Sequence, residues 1–226
     1  MSITSAFLTK VNKWLDKDTI KVIYDVGAGD CTESIALADY FTNAQIYSFE
    51  ANPACIHDCA KNIVNKPRIT FVPICINDHT GLVKFHPINQ KKTLTSWADG
   101  NPKASSIFVS NGTYPHETYV QDEIEIPCMR LIDVQETFKI PNPDIIWMDL
   151  QGAELSALKS LGRNLSDVKI IHTEIWGQET YTGQSLFPEM KKYMDLLGFS
   201  CEHEQLPEKW IWSDAEFIRN DIYNVA

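Results

Sequence analysis

The chain has 226 residues, of which 44% are hydrophobic, and it carries a formal net charge of −10. These values are typical of a globular protein with a sizeable core. The excess of acidic residues argues against nucleic acid as a substrate, because binding it requires a cationic surface. No apolar run approaches the roughly 20 residues that span a bilayer, so no membrane association is expected. The N-terminus lacks a signal-peptide pattern. We therefore expect a cytoplasmic protein with reduced cysteines.

Helical and strand patterns alternate along most of the chain. Helices are predicted at 5–17, 32–40, 53–65, 131–138, after Gly152, and at 187–197. Strands are predicted at 21–26, 44–50, 68–76, 82–86, 123–130, 145–148 and 168–176, with two last antiparallel strands at 199–204 and 215–219. This alternation predicts an α/β fold with a doubly wound, mostly parallel sheet.

The chain shows no linker or internal repeat, so we predict a single domain over residues 1–226, with an N-terminal helix within 1–20. An insertion at about 80–130 contains a hairpin arm and the irregular stretch 89–119, which is rich in Ser, Thr, Asn, Gly and Pro. A loop of this length in a compact domain is usually functional or disordered. We expect this insertion to shape the site for the second substrate.

Acidic residues stand at the ends of successive predicted strands: Asp25, Glu50, Asp78, Asp149 and Glu174. In an open parallel sheet, ligands bind outside the carboxyl ends of the strands. One acid at a strand end is common, but five at successive ends are expected to converge on one crevice.

A glycine turn, Gly27-Ala28-Gly29, follows the first strand and opens the helix at 32–40. Glycines there let a ligand approach the backbone. A dinucleotide site would need a third glycine, which is absent, and Asp30 places a negative charge where a pyrophosphate would lie. A sulfonium cofactor with an ammonium group tolerates nearby carboxylates, so the turn favours S-adenosylmethionine over NAD.

Glu50 ends the second strand, 25 residues beyond Asp25. Its two carboxylate oxygens suit the two hydroxyls of a ribose. The alternative is that Glu50 only caps the helix that begins near Pro53. After a glycine turn of this kind, we favour the ribose.

Several segments resemble the FkbM family of S-adenosylmethionine-dependent methyltransferases. They are YDVGAGDCTESIALA, IYSFEANP, NDHTG with LVKFH, the Ser105-Ser106 pair, CMRLID, IIWMDLQGAELSALKSLG and IIHTEIW, which cover most of residues 21–200 in the family's order. The resemblance implies a Rossmann-like class I methyltransferase fold, with a seven-stranded sheet, helices on both faces and O-methylation of a small molecule, above all a sugar or glycan. Many members have Asn-Ile-Gly where this chain has Gly-Asp-Cys, which leaves the contacts of Asp30 and Cys31 open.

The resemblance and the strand-end pattern together give a set of candidate site residues. The expected cofactor contacts are Asp25, Gly27, Ala28, Gly29, Asp30, Thr32, Glu50, Ala51, Asn77, Asp78, Ser106 and Asp149.

Methyl transfer to an alcohol needs a base, and the candidates are Asp149, Glu174 and His172. Residues 172 and 174 share one face of a strand, but His172 lies one pair deeper, and for it we favour the role of a core histidine. Glu154 either serves the site or interacts with the N-terminus of its own helix.

No metal site is predicted. Asp149, Glu174 and Asp78 offer oxygen ligands for magnesium, but a magnesium site is not favoured, because the sequence shows no tight ligand cluster. Cys55 and Cys59 lie one helical turn apart without a second pair at zinc-finger spacing, so they read as small helix residues. Aromatic residues are expected to border the acceptor pocket, namely Tyr114, His116, Trp176 and Tyr181. The alternative functions are a nicotinamide-dependent oxidoreductase and a non-catalytic S-adenosylmethionine-binding protein.

Overall fold

The computed structural model describes residues 3–203, 205–207 and 209–223. Its helices are α1 Ile3–Lys10, α2 Thr32–Tyr40, α3 Pro53–Asn62, α4 Leu131–Phe138, α5 Glu154–Ser160, α6 Phe187–Leu196 and α7 Asn220–Tyr223. Its strands are β1 Val22–Val26, β2 Gln45–Phe49, β3 Ile69–Val72, β4 Cys75–Ile76, β5 Gly81–Phe85, β6 Ile124–Met129, β7 Ile145–Met148, β8 Ile170–Trp176, β9 Phe199–Cys201 and β10 Trp212–Arg219.

Seven strands form the main sheet in the order β3-β2-β1-β7-β8-β10-β9. The pairs from β3 to β8 are parallel, and β10 runs antiparallel to both β8 and β9. The predicted α/β fold with a mostly parallel, seven-stranded sheet is therefore confirmed. The strand order reverses between β1 and β7, which is the position where ligands bind in such sheets.

Alternating side chains of the central strands pack on opposite faces of the sheet. On one face Tyr24, Ile146 and Met148 join a core with residues of α4, α5 and α6. On the other face Ile23 and Trp147 join a second core with residues of α1 and α2. Burial on both faces explains why these strands read as continuous apolar runs.

A second sheet has three strands in the order β4-β6-β5. β5 and β6 lie within the part of the chain predicted as an insertion, and β4 precedes it. The predicted strand 68–76 is in fact two strands, β3 in the main sheet and β4 in the second, separated by Pro73. Proline cannot donate to a strand ladder, so pairing stops there. The segment between β5 and β6 makes isolated bridges, including His86 with Ser106 and Leu94 with Thr118.

The two ends of the chain depart in detail from the predicted elements. The first helix ends at Lys10 and continues as a 3-10 turn, Val11–Lys13, with Phe7 and Val11 buried. β9 is shorter than predicted, and Glu204 lies outside the described residues. In the described part of the chain, no helix is long and apolar enough to cross a membrane.

Cys31 and Cys59 form a disulfide, with Cα atoms 4.9 Å apart. The expectation that all cysteines are reduced is wrong for this pair, because α3 packs beside the glycine turn and brings Cys59 to Cys31. The other four cysteines are free and buried: Cys55, Cys75, Cys128 and Cys201.

Asp25, near the end of β1, is almost completely buried. One of its oxygens accepts from the Ser34 hydroxyl of α2, and the other has no hydrogen-bond partner among the described residues. Burial raises the pKa of this carboxyl to about 7, against the opposing effect of the Ser34 hydrogen bond. Asp25 is therefore a buried group that favours its neutral form.

Asp25→Asn tests this reading through the pH dependence of stability. A folded-state pKa raised to about 7 means that the native protein binds more protons than the unfolded chain between the two pKa values. The contribution of Asp25 is thus fully present below its unfolded pKa and is lost as pH rises through about 7.

Urea unfolding of wild type and Asp25→Asn at several pH values measures the effect. We expect the variant to gain stability relative to wild type as pH rises from acidic to neutral, and the gap to level off above pH of about 7. A gap that is constant across this range would show that Asp25 is ionised in the native protein.

Candidate active site

The glycine turn brings β1 and β7 into backbone contact. Gly27 has φ of 90°, and a Cβ added to it would stand 1.8 Å from the carbonyl oxygen of Asp149. The amides of Gly27 and Ala28 both donate to the carbonyl of Phe49, at 2.9 Å each. Only glycine satisfies both the positive φ and the close approach.

Glu50 ties the glycine turn to the end of β2. One carboxylate oxygen accepts from the amide of Gly29 at 2.7 Å, and the other accepts from Ala51 at 2.8 Å and Asn52 at 2.6 Å. Asn52, not Glu50, caps α3, since its side-chain oxygen accepts from Ala54. Burial raises the pKa of Glu50, against the three amides that lower it. The carboxylate lines the cleft beside the turn.

Asp149 and Glu174 stand at neighbouring strand ends and share one amide. The side-chain nitrogen of Gln151 donates to Asp149 at 2.7 Å and to Glu174 at 3.0 Å. The side-chain oxygen of Gln151 lies 3.1 Å from the hydroxyl of Tyr181. Gln151 has φ of 51°, a left-handed conformation that is uncommon for a residue with a side chain.

The same surroundings shift both carboxyl groups in one direction. Burial raises the pKa of Glu174 well above its ordinary value, and the charges of Asp149, Glu154 and Asp214 raise it further. Burial also raises the pKa of Asp149, while the amide of Gln151 opposes the shift. Two carboxyl groups this close titrate as a pair.

Glu154 completes a group of three carboxylates with Asp149 and Glu174, whose oxygens lie within 4.8 Å of one another. One oxygen of Glu154 accepts from the amides of Leu150 and Gly152, at 3.0 and 3.1 Å. Burial raises the pKa of Glu154 to about 7. Glu154 therefore stabilises the turn before α5 through these two hydrogen bonds. Asp78, weighed with this group as a magnesium ligand, is exposed and pairs with His79.

His172 is a core residue and does not reach the cleft. Its ring stacks on Trp147 at 3.9 Å between centroids, and its side chain is only 3% exposed. Its Nδ1 lies 3.2 Å from a carboxylate oxygen of Glu216, which also pairs with Lys10. The core-histidine reading is the one that this geometry supports, because the side chain faces the α1 side of the sheet below the crevice.

The structure brings most of the predicted cofactor residues to one cleft. Those that line it are Gly27, Ala28, Gly29, Glu50, Ala51, Ser106 and Asp149. Asp25, Asp30, Thr32, Asn77 and Asp78 are not among its lining residues; Asp25 lies beneath it, and residues 74–76 line it where Asn77 and Asp78 were expected.

Two residues at the site were missed in the sequence. Gln151 lies inside the DLQGAE segment, which was noted for its acids and glycine only. Lys103 lines the cleft and stands two residues before the Ser105-Ser106 pair. A search for polar residues within the recognised segments would have found Gln151, but Lys103 comes from an irregular stretch without any local signal.

The comparisons with known proteins agree with this geometry. The family model described as "Methyltransferase FkbM domain" matches residues 25–201. The chain belongs to the FkbM methyltransferase family. This S-adenosylmethionine-dependent methyltransferase is 28% identical, over 78% of its length and 70% of the relative's, to the 2-O-methyltransferase NoeI of Sinorhizobium fredii.

A second relative is the hexuronic acid methyltransferase AglP of Haloferax volcanii, 24% identical over 68% of this chain and 55% of the relative. Among solved structures, a precorrin-6y C5,15-methyltransferase from Geobacter metallireducens superposes with a TM-score of 0.51 at 15% identity. That match covers 96% of this chain and 87% of the other, and it shows the fold. The methyltransferase prediction is thus confirmed over the nicotinamide-dependent alternative.

Gly27→Ala tests the close approach of β1 and β7 in this FkbM methyltransferase. The added Cβ would overlap the Asp149 carbonyl, so we expect a large loss of stability and no stabilisation by S-adenosylhomocysteine. Gly162→Ala is the matched control, since Gly162 also has positive φ, of 61°, but nothing lies within 4 Å of its added Cβ. Thermal unfolding with and without ligand measures both variants. Equal losses in the two would mean that backbone strain alone, not crowding, sets the requirement for glycine.

Proposed function

We propose that this chain transfers the methyl group of S-adenosylmethionine to a hydroxyl of a sugar, with Glu174 as the base. The observation that carries the proposal is the pair of carboxylates, Asp149 and Glu174, joined by Gln151. Asp149 lines the cleft behind the glycine turn, and Glu174 is linked to it from outside the lining residues. A methyl donor in the cleft and an acceptor on the far side of Glu174 would meet at this pair.

The residues of the cleft fit the cofactor. Gly27 allows β1 to approach the carbonyl of Asp149, which brings the glycine turn and Asp149 to the same cleft. The Glu50 oxygen that accepts only from Gly29 keeps acceptor capacity for a ribose hydroxyl, whereas the other oxygen already accepts from both Ala51 and Asn52. Asp149 offers negative charge toward the sulfonium and ammonium groups. The bound cofactor supplies an electrophilic methyl group.

The protein's own task is to position the acceptor and remove its proton. Burial beside Asp149, Glu154 and Asp214 makes ionised Glu174 a stronger base than an ordinary carboxylate. Gln151 holds Glu174 and Asp149 in fixed orientation through one amide. All three carboxylates of this group have hydrogen-bond partners within the protein, and the proposed mechanism uses no metal.

An aromatic groove includes Asp214 of β10, the strand that pairs with β8 and Glu174. It is lined by Tyr114, His116, Lys209, Trp210, Ile211, Trp212, Ser213 and Asp214. Asp214 stands opposite Glu174 in the antiparallel pair of β10 and β8, so their side chains lie on the same face of the sheet. Aromatic faces next to a carboxylate suit a sugar ring, which offers apolar C–H faces and polar hydroxyls.

The aromatic residues named from the sequence divide between this groove and the core. Tyr114 and His116 line the groove. Trp176 and Tyr181 are buried instead, and their ring centroids lie 6.0 Å apart. Because Tyr114 and His116 come from the stretch between β5 and β6, we propose that the insertion at about 80–130 shapes the acceptor site. The printed names of two relatives, a 2-O-methyltransferase and a hexuronic acid methyltransferase, support a sugar acceptor.

An acceptor panel tests the proposal directly. The protein is incubated with S-adenosylmethionine and a set of neutral sugars, uronic acids, oligosaccharides and non-sugar alcohols, and formation of S-adenosylhomocysteine is measured. We expect turnover with at least one sugar, and mass spectrometry should locate a methyl ether on it. Cofactor binding without turnover on any acceptor would favour the non-catalytic binding protein.

Glu174→Gln and His172→Gln separate the base from the core histidine. Glu174→Gln keeps the shape but removes the base, so we expect kcat to fall by about 100-fold or more with little change in stability. His172→Gln breaks the buried pair with Glu216 and should lower stability while leaving kcat within a fewfold. Turnover with the best acceptor and urea unfolding are measured for both. A greater loss of kcat in the His172 variant would assign the base to His172.

The pH dependence of kcat reports the raised pKa of the carboxyl pair. Since the base must be ionised and burial raises the pKa of Glu174, activity should rise with pH through an apparent pKa well above that of an ordinary glutamate. The Asp149→Asn variant removes a neighbouring negative charge, which should move this apparent pKa downward. A profile that is flat from acidic to alkaline pH would show that no carboxyl group acts as the base.

A further inference from the structure

Lys103 stands out because its charge is opposite to that of its surroundings. It is the one Lys, Arg or His among the described residues that line the cleft, where Glu33, Glu50 and Asp149 supply three negative charges. The chain as a whole carries a formal net charge of −10. A single cation inside an acidic cleft is expected to meet an anionic group of whatever binds there.

The side chain of Lys103 crosses the glycine turn. Its Nζ lies 2.7 Å from Asp30 and 4.0 Å from Glu33, at the start of α2. A Cβ added to Gly29 would stand 2.9 Å from the Cε atom of Lys103. The ammonium group thus lies beside the glycine turn, near the start of α2.

The backbone that carries Lys103 is fixed on both sides. The side-chain nitrogen of Asn52 donates to the carbonyl of Pro102 at 2.8 Å and to the hydroxyl of Ser105 at 3.0 Å. The Tyr181 hydroxyl donates to the carbonyl of Ala104 at 2.8 Å. The segment therefore holds its position while the flexible lysine side chain can turn from Asp30 to a ligand.

The side chain keeps its charge in this position. Burial alone would lower the pKa of Lys103, but the hydrogen bond to Asp30 and the charge of Glu33 outweigh burial and raise it. The side chain is 43% exposed, so it is also free to move. An anionic ligand group beside the turn would find a protonated ammonium within reach.

S-adenosylmethionine contains one anionic group, the carboxylate of its methionine part. With the ribose at Glu50 and the methyl group near Asp149, the methionine part would extend along the glycine turn toward α2. Its carboxylate would there face Asp30 and Glu33 and be repelled unless a cation intervened. We propose that Lys103 is the counter-ion of the cofactor carboxylate, an inference that rests on the proposed binding of S-adenosylmethionine in this cleft.

Two ligands that differ only in this carboxylate test the proposal without any acceptor. Isothermal titration calorimetry measures Kd for S-adenosylhomocysteine and for its decarboxylated form, 5′-deoxy-5′-(3-aminopropyl)thioadenosine. Lys103→Met should weaken binding of S-adenosylhomocysteine by about tenfold and change binding of the decarboxylated form by less than about twofold. Lys103→Arg keeps the charge and should recover most of the lost affinity.

Lys84→Met is the matched control, because Lys84 is exposed on β5 and pairs with Glu123 away from the cleft. It should bind both ligands as the wild type does. Equal weakening of both ligands by Lys103→Met, or no weakening of either, would overturn the role of Lys103 while leaving the cofactor site in place. Wild-type protein that binds neither ligand would overturn the cofactor site itself, and the inference with it.

Discussion

Gly27 lies so close to the carbonyl of Asp149 that a side-chain carbon at its position would stand 1.8 Å from the oxygen. This approach joins β1 to β7 at the place where the strand order reverses. Because the two backbones touch there, the glycine turn and Asp149 lie side by side in the cleft. Glu50 reinforces the same corner by holding the amide of Gly29.

The strand-end acids were the most informative feature of the sequence, and the structure shows why some converge and one does not. Glu50 and Asp149 directly follow the parallel strands β2 and β7, and Glu174 lies near the end of β8, the next parallel strand. Asp78 does not join them, since the chain leaves the main sheet at Pro73 and continues as β4 in the second sheet. Periodicity identified the apolar run at 68–76 but carried no information on which sheet each half would join.

Residues that act through distant partners were beyond prediction from the sequence. Lys103 reaches Asp30 across 73 positions, and Cys59 meets Cys31 across 28. Neither contact leaves a local periodic signal, because both depend on how the insertion and α3 pack on the glycine turn. Gln151 is an intermediate case. The sequence identified its segment, but its hydrogen bonds to both Asp149 and Glu174 form only when β7 and β8 are paired.

In the second sheet, the long stretch between β5 and β6 begins and ends at paired strands. β5 and β6 pair directly, with Phe85 opposite Ile124, so the long stretch between them starts and ends at neighbouring points. A chain segment with adjacent ends can change in length or sequence without moving the sheet that carries it. Within this stretch, Ser105 accepts from Asn52 and Ser106 donates to the carbonyl of Gln151, which fixes that segment at the cleft. A longer or shorter loop beyond Ser106 can therefore be accommodated without displacing β5 and β6.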